Sequence, residues 1–305
     1  MPPLCAAGYG IAIASGSLFL SALYEFSINV VFIALAAEAY PVFQTVIMSF
    51  FDWDGLTTKT FTGLANYIKL FQDRIFWTSF RNSFLVAGVL IVFEVILGTF
   101  LTLVLMDKRI QCRKFIRSSL FIPVVLSVTV VCQLWSSILN PEIGLINQIF
   151  SALGLDFQQQ WLSDKHVAIL VVAFVNAWQY MGYQFVIIYS AANSIPTDYI
   201  EASRIDGATR WQTNFYIILP MLRDTLRNCL IFAVTGGFNI YSQMQLLTQG
   251  GPGTATYSLT YMTFRSAFKL RKYGYGCTSA VSLMFMCLVS IAVINMLMSK
   301  KKENE

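Results

Sequence analysis

The sequence predicts an all-α membrane protein with about six transmembrane helices. Hydrophobic residues make up 56% of the 305 residues, charged residues make up only 12%, and the mean hydropathy is +0.61. Such a chain cannot cover a water-soluble globule with polar surface. A spanning helix needs about 20 predominantly apolar residues. The runs that meet this requirement lie at 26–50, 84–106, 118–139, 167–192, 225–246 and 276–298.

The first 25 residues form an apolar segment that stands apart from these spans. They contain no Lys or Arg, so they lack the positive region that begins a signal peptide. Glu25 and Glu38 interrupt the apolar run, and a charge at bilayer depth costs about 3 kcal/mol. Three interpretations stay open for residues 1–25: a seventh span, a segment lying on the membrane surface, or a misassigned translation start. We expect one true span, over about 26–50.

Basic residues predict how the spans are oriented, because cytoplasmic loops carry an excess of Lys and Arg. One cluster follows the second span and a second, Lys300–Lys302, follows the last span. Both clusters, and with them the C-terminus, are therefore assigned to the cytoplasm. The first cluster consists of Lys108, Arg109, Arg113, Lys114 and Arg117.

The same alternation places the remaining loops. The loop 193–224 falls in the cytoplasm, whereas the loops 51–83, 140–166 and 247–275 face outward. One group of basic residues in the last of these loops departs from the rule: Arg265, Lys269, Arg271 and Lys272. The two cytoplasmic clusters lie closer to span ends and decide the orientation.

Composition also excludes several classes of protein. The net charge of +5 is a topology signal, since no interleaving of aromatic and basic residues indicates a nucleic-acid surface. The single histidine, His166, provides no metal-ligand cluster. The six cysteines are scattered and form no C-x-x-C pair, so they are expected to be small buried hydrophobes. We expect neither a metal site nor a cofactor.

The polar loop between the fourth and fifth spans predicts two short helices joined at a glycine. Pro196 suits the first turn of a helix, and Gly207 can take the left-handed conformation that ends it. Thr209 and Gln212 have the spacing of a capping box for the second helix. We expect that helix to present one apolar side until Pro220 disturbs it. The side consists of Phe215, Ile218 and Leu222.

This loop, 193–224, is called the EAA-like segment below because it contains a stretch that resembles the EAA loop of binding-protein-dependent ABC importer permeases. Glu201 and Ala202 match the first two motif positions, Gly207 matches its glycine, and Ser203 replaces the usual third alanine. In that family the loop is the coupling helix that docks on the cytoplasmic ATPase. Taken without the resemblance, the spacing equally favours a plain amphipathic connector. The resemblance assigns ATPase coupling to Glu201, Ala202, Ser203, Asp206, Gly207 and Ala208.

A second marker follows the fifth span. Gly250-Gly251-Pro252-Gly253 alone predicts only a turn, and no Gly-Lys-Ser/Thr follows that would make it a phosphate-binding loop. With Phe264 to Phe268 behind it, the stretch is similar to the maltose, lactose and glycerol-phosphate branch of these permeases, and to the MalF-like member of each pair. Ser49 to Trp53 resembles the first outward loop of sugar-type permeases. The resemblance covers roughly residues 40–298.

The resemblance implies a type I ABC importer permease fold in the plasma (inner) membrane. Residues 26–79 would hold the first transmembrane helix and an outward loop, 80–298 the permease domain and 299–305 a cytoplasmic tail. The implied partners are a second permease subunit, an ABC ATPase dimer and an extracytoplasmic solute-binding protein. The chain has no Walker A sequence, so ATP hydrolysis is expected on a partner. The implied solute is a sugar, with glycerol phosphate as the alternative.

Polar residues inside the spans are candidates for the substrate pathway, because such residues usually face a bundle interior or cavity. The fourth span carries Asn176, Trp178, Gln179, Tyr180 and Gln184 and the fifth carries Asn239, Tyr241, Gln243 and Gln245. Amides and aromatic rings suit a sugar, and the alternative for each residue is interhelical hydrogen bonding. Alternate residues cannot share one helical face unless the helix is broken there. The candidates are Asn239, Tyr241, Gln243, Gln179 and Tyr180.

Glu94, in the middle of the second span, is the most unusual ionisable residue. A proton relay or a substrate contact is one interpretation, and a hydrogen-bonded or protonated group within the bundle is the other. The first would suit an ion-coupled secondary transporter, but the paired broken helices of that class are not evident in the sequence. A membrane enzyme is a weaker interpretation, since no nucleophile, base and orienting group stand out.

The orientation can be tested with single cysteines on a background without native cysteines. We expect a cysteine at Arg113 to be shielded from an impermeant thiol reagent in intact cells, and a cysteine at Gln158 to react. The opposite labelling pattern would invert the topology and remove the EAA-like segment from the cytoplasm.

Overall fold

The computed structural model describes residues 36–107, 110–155 and 159–298. Expectations for residues 1–35, Lys108, Arg109, Gln158 and the tail 299–305 therefore lie outside the described residues. The helices are α1 (36–48), α2 (Ala65–Gln72), α3 (Arg74–Leu105), α4 (Arg113–Val125), α5 (Val128–Ile138), α6 (Leu145–Ala152), α7 (Ala168–Asn193), α8 (Thr197–Ile205), α9 (Arg210–Thr213), α10 (Leu219–Met221), α11 (Arg223–Asn239), α12 (Leu259–Phe264) and α13 (Tyr273–Met298).

Four of these helices form the centre of an all-α bundle. Helix α3 packs against α7 and α11, and α11 also packs against α13. Small residues allow close approach, as is common between membrane helices. A Cβ added to Gly237 of α11 would lie 2.6 Å from the Cα of Ala87 in α3, and one on Gly182 of α7 would lie 1.9 Å from the Leu120 carbonyl oxygen of α4. Larger side chains at these glycines would separate the helices.

Within the described residues, three helices are long and apolar enough to cross a membrane: α3, α7 and α13. They correspond to the predicted spans 84–106, 167–192 and 276–298. Helix α3 begins ten residues before the predicted start, at Arg74, because Asp73 caps it by accepting a hydrogen bond from the Ile75 N–H at 2.8 Å. Residues 36–48 of the predicted first span are helical. The count of six stays a prediction.

The span predicted over 118–139 is not one straight helix but two helices joined at a bend. Helices α4 and α5 meet at an angle of 102°. Pro123 lies in the last turn of α4, Leu126 is extended, and the Ser127 side chain caps α5 by accepting from Val130 N–H at 3.3 Å. Proline and a new N-cap together explain the bend. The pair counts as a fourth span only if the two helices are taken as one.

The span predicted over 225–246 is also interrupted. Helix α11 ends at Asn239, Ile240 is extended with φ −65° and ψ 112°, and a π-helical turn runs from Met244 to Thr248. Side chains pair with the carbonyl oxygens at the break: Ser258 Oγ donates to Ile240 O at 2.6 Å and Thr260 Oγ1 to Phe238 O at 2.8 Å. Irregular backbone inside a membrane bundle requires such partners.

The loops predicted to face outward near 51–83 and 247–275 lie together at one end of the bundle. Strands β1 (Phe51–Asp52) and β2 (Thr60–Phe61) pair antiparallel, and the Tyr273 N–H donates to Trp53 O at 2.9 Å. Asn82 Nδ2 donates to Ala255 O and Tyr257 O at 2.8 and 2.9 Å. These contacts agree with the prediction that both loops share one side of the membrane.

Candidate functional site

A cavity of about 370 Å³ lies where α11 is interrupted, bounded also by α3 and α7. This volume is within the usual range for a small-molecule site, roughly 300 to 1,000 Å³. We call it the bundle cavity. It is lined by Leu90, Glu94, Val128, Asn176, Tyr180, Tyr183, Gln184, Phe232, Gly236, Asn239, Ile240, Tyr241, Ser242 and Gln243.

The break at Ile240 brings three of the predicted pathway residues to one wall. Asn239, Tyr241 and Gln243 all line the bundle cavity, although alternate residues of a regular helix point to different sides. The extended conformation of Ile240 turns the chain between Asn239 and Tyr241. The condition set by the sequence, that these residues can line one cavity only if the helix is broken, is therefore met.

Gln179 does not line the cavity but connects its two irregular walls. Its Nε2 donates to the Leu126 carbonyl oxygen at 3.1 Å, at the bend between α4 and α5. Its Oε1 accepts from Gln243 Nε2 at 3.4 Å, beyond the break in α11. Both glutamines are buried. The interhelical interpretation therefore suits Gln179, whereas Tyr180, one residue later, lines the cavity.

The fourth span divides its other polar residues between the cavity and the core. Asn176 and Gln184 line the cavity, as does Glu94 from α3. Trp178 instead packs edge to face against Trp135 of α5, with ring centroids 5.4 Å apart. Glu94 and Gln184 were visible in the sequence as polar residues within apolar spans, and the sequence alone did not select them.

The EAA-like segment contains the two predicted helices, α8 and α9, joined at a glycine. Gly207 has φ +79°, and the amide N–H groups of Gly207 and Ala208 donate to Arg204 O at 3.1 Å and Ser203 O at 2.9 Å. This is the Schellman arrangement that ends a helix at a left-handed residue. Pro196 lies one residue before α8 rather than in its first turn, because the helix begins at Thr197.

The second helix begins as predicted and then departs from the prediction. Thr209 and Gln212 form a capping box at the start of α9. Ile218 is buried, but Phe215 is 51% exposed, so the predicted single apolar side is wrong for Phe215. A π-helical turn from Asn214 to Ile218 widens the helix and rotates Phe215 away from the buried side.

Ser203 joins the two helices of the segment. Its buried hydroxyl donates to the Ile200 carbonyl oxygen at 2.8 Å and lies 2.9 Å from the Thr213 hydroxyl of the second helix. Glu201, Ala202, Asp206 and Gly207 remain exposed and Ala208 is half-buried. Of the six predicted coupling residues, Ser203 is thus the one that faces inward.

Exposed apolar side chains surround these residues. A soluble protein ordinarily buries side chains of this kind. An exposed apolar patch often marks an interaction site. The largest are Tyr199, Ile205, Trp211, Phe215 and Tyr216, with Ile205 86% exposed.

Arg210 attaches the EAA-like segment to the end of α3. Its guanidinium forms an ion pair with Asp107, and Nη2 donates to Val104 O at 2.9 Å and Leu103 O at 3.3 Å. A cation is favoured at a helix C-terminus, where carbonyl groups lack intrahelical partners. No local pattern in the sequence indicates this contact, because its partners lie about 100 residues earlier in the chain.

A family model described as "Binding-protein-dependent transport system inner membrane component" matches residues 94–300, more than half of the chain. The chain belongs to this family. It is a permease subunit of an ABC importer with multiple membrane-embedded helices. The matched range includes the EAA-like segment, the loop Gly250–Gly253 and every lining residue of the bundle cavity except Leu90.

Similar proteins are also named as permeases of transport systems. The probable ABC transporter permease protein YurN of Bacillus subtilis (strain 168) is 37% identical over 251 residues, covering 81% of this chain and 86% of that protein. The probable starch degradation products transport system permease protein AmyD of Thermoanaerobacterium thermosulfurigenes is 31% identical over 267 residues, covering 87% and 89%. The multiple sugar-binding transport system permease protein MsmF of Streptococcus mutans is 32% identical over 269 residues, covering 87% and 90%.

Solved structures support the fold. A chain of a bacterial ABC transporter involved in the import of the acidic polysaccharide alginate matches with a TM-score of 0.80 at 21% identity, covering 92% of this chain and 96% of that one. The type I importer permease fold expected from the sequence is confirmed. The two interrupted helices would also suit a secondary transporter, but family membership assigns them to an ABC permease.

Alanine substitutions in the bundle cavity test the pathway residues. We expect Asn239→Ala, Tyr241→Ala or Gln243→Ala to lower uptake about tenfold or to change solute preference, because each removes a polar or aromatic contact. The measurement is uptake of labelled solute by the assembled importer.

Asn193→Ala is the matched control for Asn239→Ala. Both amides donate to a carbonyl oxygen four residues earlier, Asn239 to Thr235 at 3.0 Å and Asn193 to Tyr189 at 2.8 Å, but Asn193 lies at the end of α7. Normal uptake and preference in all three cavity variants would leave them with a structural role only.

Proposed function

We propose that this chain forms the translocation pathway of an ATP-driven sugar importer. The observation that carries the proposal is the bundle cavity, where amides and aromatic rings of α7 and of the interrupted α11 region converge at the break. Sugars offer hydroxyl groups that amides can hydrogen-bond and apolar faces that tyrosine rings can stack on. Relatives named for starch products, multiple sugars and diacetylchitobiose support the choice of solute.

The proposed partners are a second permease subunit, an ABC ATPase dimer and an extracytoplasmic solute-binding protein. One chain with this fold was solved in an alginate transporter in complex with a periplasmic protein that carries an alginate pentasaccharide. The exposed apolar side chains of the EAA-like segment suit a protein interface, and its side of the bundle is opposite the loops 51–83 and 247–275 in the proposed topology. That topology places the segment and the C-terminus in the cytoplasm.

Coupling to the ATPase is assigned to the EAA-like segment. Glu201, Ala202, Asp206 and Gly207 are available to a partner, while Ser203 and Thr213 hold the two short helices together. Arg210 links the segment to the end of α3. Because α3 also carries Glu94 into the bundle cavity, a displacement of the docked segment would reach the pathway through one continuous helix.

Substitutions in the segment test this coupling. We expect Ala202→Asp and Gly207→Asp to insert in the membrane but to lose at least about tenfold in uptake. The added carboxylate would hold the docking surface off the ATPase, and at Gly207 the left-handed backbone adds strain of about 1 kcal/mol. The measurements are copurification of the ATPase, solute uptake, and ATP hydrolysis stimulated by the binding protein.

Two positions in the loop 140–166 provide matched controls. Gly154 has φ +74° and, like Gly207, open space where the Cβ of a larger residue would lie, so Gly154→Asp imposes similar strain elsewhere. Ala152→Asp places the same charge on an exposed helical alanine. Both controls should behave as wild type. Wild-type values in all three assays for both Ala202→Asp and Gly207→Asp would contradict the coupling assignment.

A further inference from the structure

Glu94 is a carboxyl group at the wall of the bundle cavity. It is only 4% exposed, and it lies in the π-helical turn Ile91–Ile96 of α3. A π-helical turn inside an α-helix inserts one extra residue, realigns the side chains around it and is frequent at functional sites. An ionisable residue within a membrane span is costly to keep unless it has a function or a partner.

The group that the structure places beside Glu94 is a neutral one. The Gln184 side chain of α7 lies next to the Glu94 carboxyl on the wall of the bundle cavity. The other end of that amide, Gln184 Oε1, is buried and has no hydrogen-bond partner among the described residues. A carboxyl group keeps acceptor sites in either protonation state, and an amide oxygen has two. The pair therefore leaves acceptor capacity unused at the cavity wall, and an unpaired buried acceptor is unfavourable.

The rest of the cavity wall contains no cation. Its other polar side chains are the amides of Asn176, Asn239 and Gln243, three tyrosines and one serine, and no described Lys, Arg or His lines it. A phosphate or carboxylate entering the cavity would lose its hydration without gaining a compensating positive charge, and it would lie near the Glu94 carboxyl. A solute rich in hydroxyl or ammonium donors would instead satisfy the free acceptors.

We propose that Glu94 and Gln184 form an acceptor pair that selects solutes by their hydrogen-bond donors. The accepted class is uncharged or amine-bearing glycosyl compounds, and phosphorylated or uronate-bearing solutes are rejected. This inference rests on the proposed function as a sugar importer and narrows it, since it excludes glycerol phosphate. It also distinguishes the solute proposed for this chain from the acidic polysaccharide that the alginate importer takes up. A chain of that importer shares this fold at 21% identity.

The first test uses the wild-type importer, with its partners, in proteoliposomes loaded with ATP. The external probes are neutral di- and trisaccharides from starch, cellulose and chitin hydrolysates, their C6-oxidised uronates, chitosan dimer and glycerol 3-phosphate. Mass spectrometry of the lumen identifies the imported species. We expect only neutral or amine-bearing compounds. Import of a uronate or of glycerol 3-phosphate as fast as any neutral compound would overturn the proposal. Absence of ATP-dependent import of every probe would contradict sugar import itself.

The second test uses the isosteric variant Glu94→Gln with a neutral compound imported in the first test and with the uronate derived from that compound. We expect uptake to fall about tenfold, because an acceptor oxygen is replaced by a donating amide nitrogen and a hydrogen bond to the solute is lost. We also expect the ratio of uronate to neutral uptake to rise. If Glu94 had only a structural role between α3 and α7, the substitution would lower the uptake of both solutes equally and leave this ratio unchanged. That result would overturn the proposal.

Control variants distinguish a change in solute selection from a defect in folding or assembly. Glu142→Gln makes the same chemical change on an exposed carboxylate of the loop 140–166 and should leave uptake within about twofold of wild type. Gln184→Met removes the second acceptor while keeping the length of the side chain, so it should shift the ratio in the same direction. Unchanged ratios in both Glu94→Gln and Gln184→Met complexes that still copurify with their partners would contradict the acceptor pair.

Discussion

Every backbone N–H and C=O group inside a membrane bundle needs a partner, and the interrupted helices of this permease meet that constraint with side chains. Ser258 and Thr260 bond the carbonyl oxygens beside the break in α11, and Gln179 bonds the carbonyl oxygen of Leu126 at the bend between α4 and α5. These bonds keep both irregular segments in place. The bonds to Phe238 O and Ile240 O stabilise the end of α11 at Asn239, where the chain forms one wall of the bundle cavity.

The same constraint links the cavity to the surface on which a partner is proposed to act. Helix α3 carries Glu94 at the cavity wall and ends at residues whose carbonyl oxygens bond Arg210 of the EAA-like segment. The ion pair of Arg210 with Asp107 is partly exposed, and such pairs contribute only modestly to stability. Its importance is geometric, since it joins a short, exposed helix pair to a long helix that lines the bundle cavity.

Local signals in the sequence predicted the regular parts of this structure and missed the interruptions. Apolar length identified α3, α7 and α13, and the glycine and capping-box residues identified both ends of the turn at Gly207. The break at Ile240 depends on hydroxyl groups about 20 residues later in the chain, and no periodicity reports such a contact. Phe215 was misplaced because a π-helical turn changes the helical repeat. Four of the five predicted pathway residues line the cavity, and Gln179 lies behind it.

A structure of the assembled importer with bound solute, determined by electron cryomicroscopy, tests most directly whether the break in α11 creates the solute site. We expect solute density in the bundle cavity beside Ile240, within hydrogen-bonding distance of Glu94 or Gln184 and in contact with Tyr241. Solute density elsewhere in the membrane domain, with α11 continuous through Ile240 or with the bundle cavity closed, would contradict this assignment.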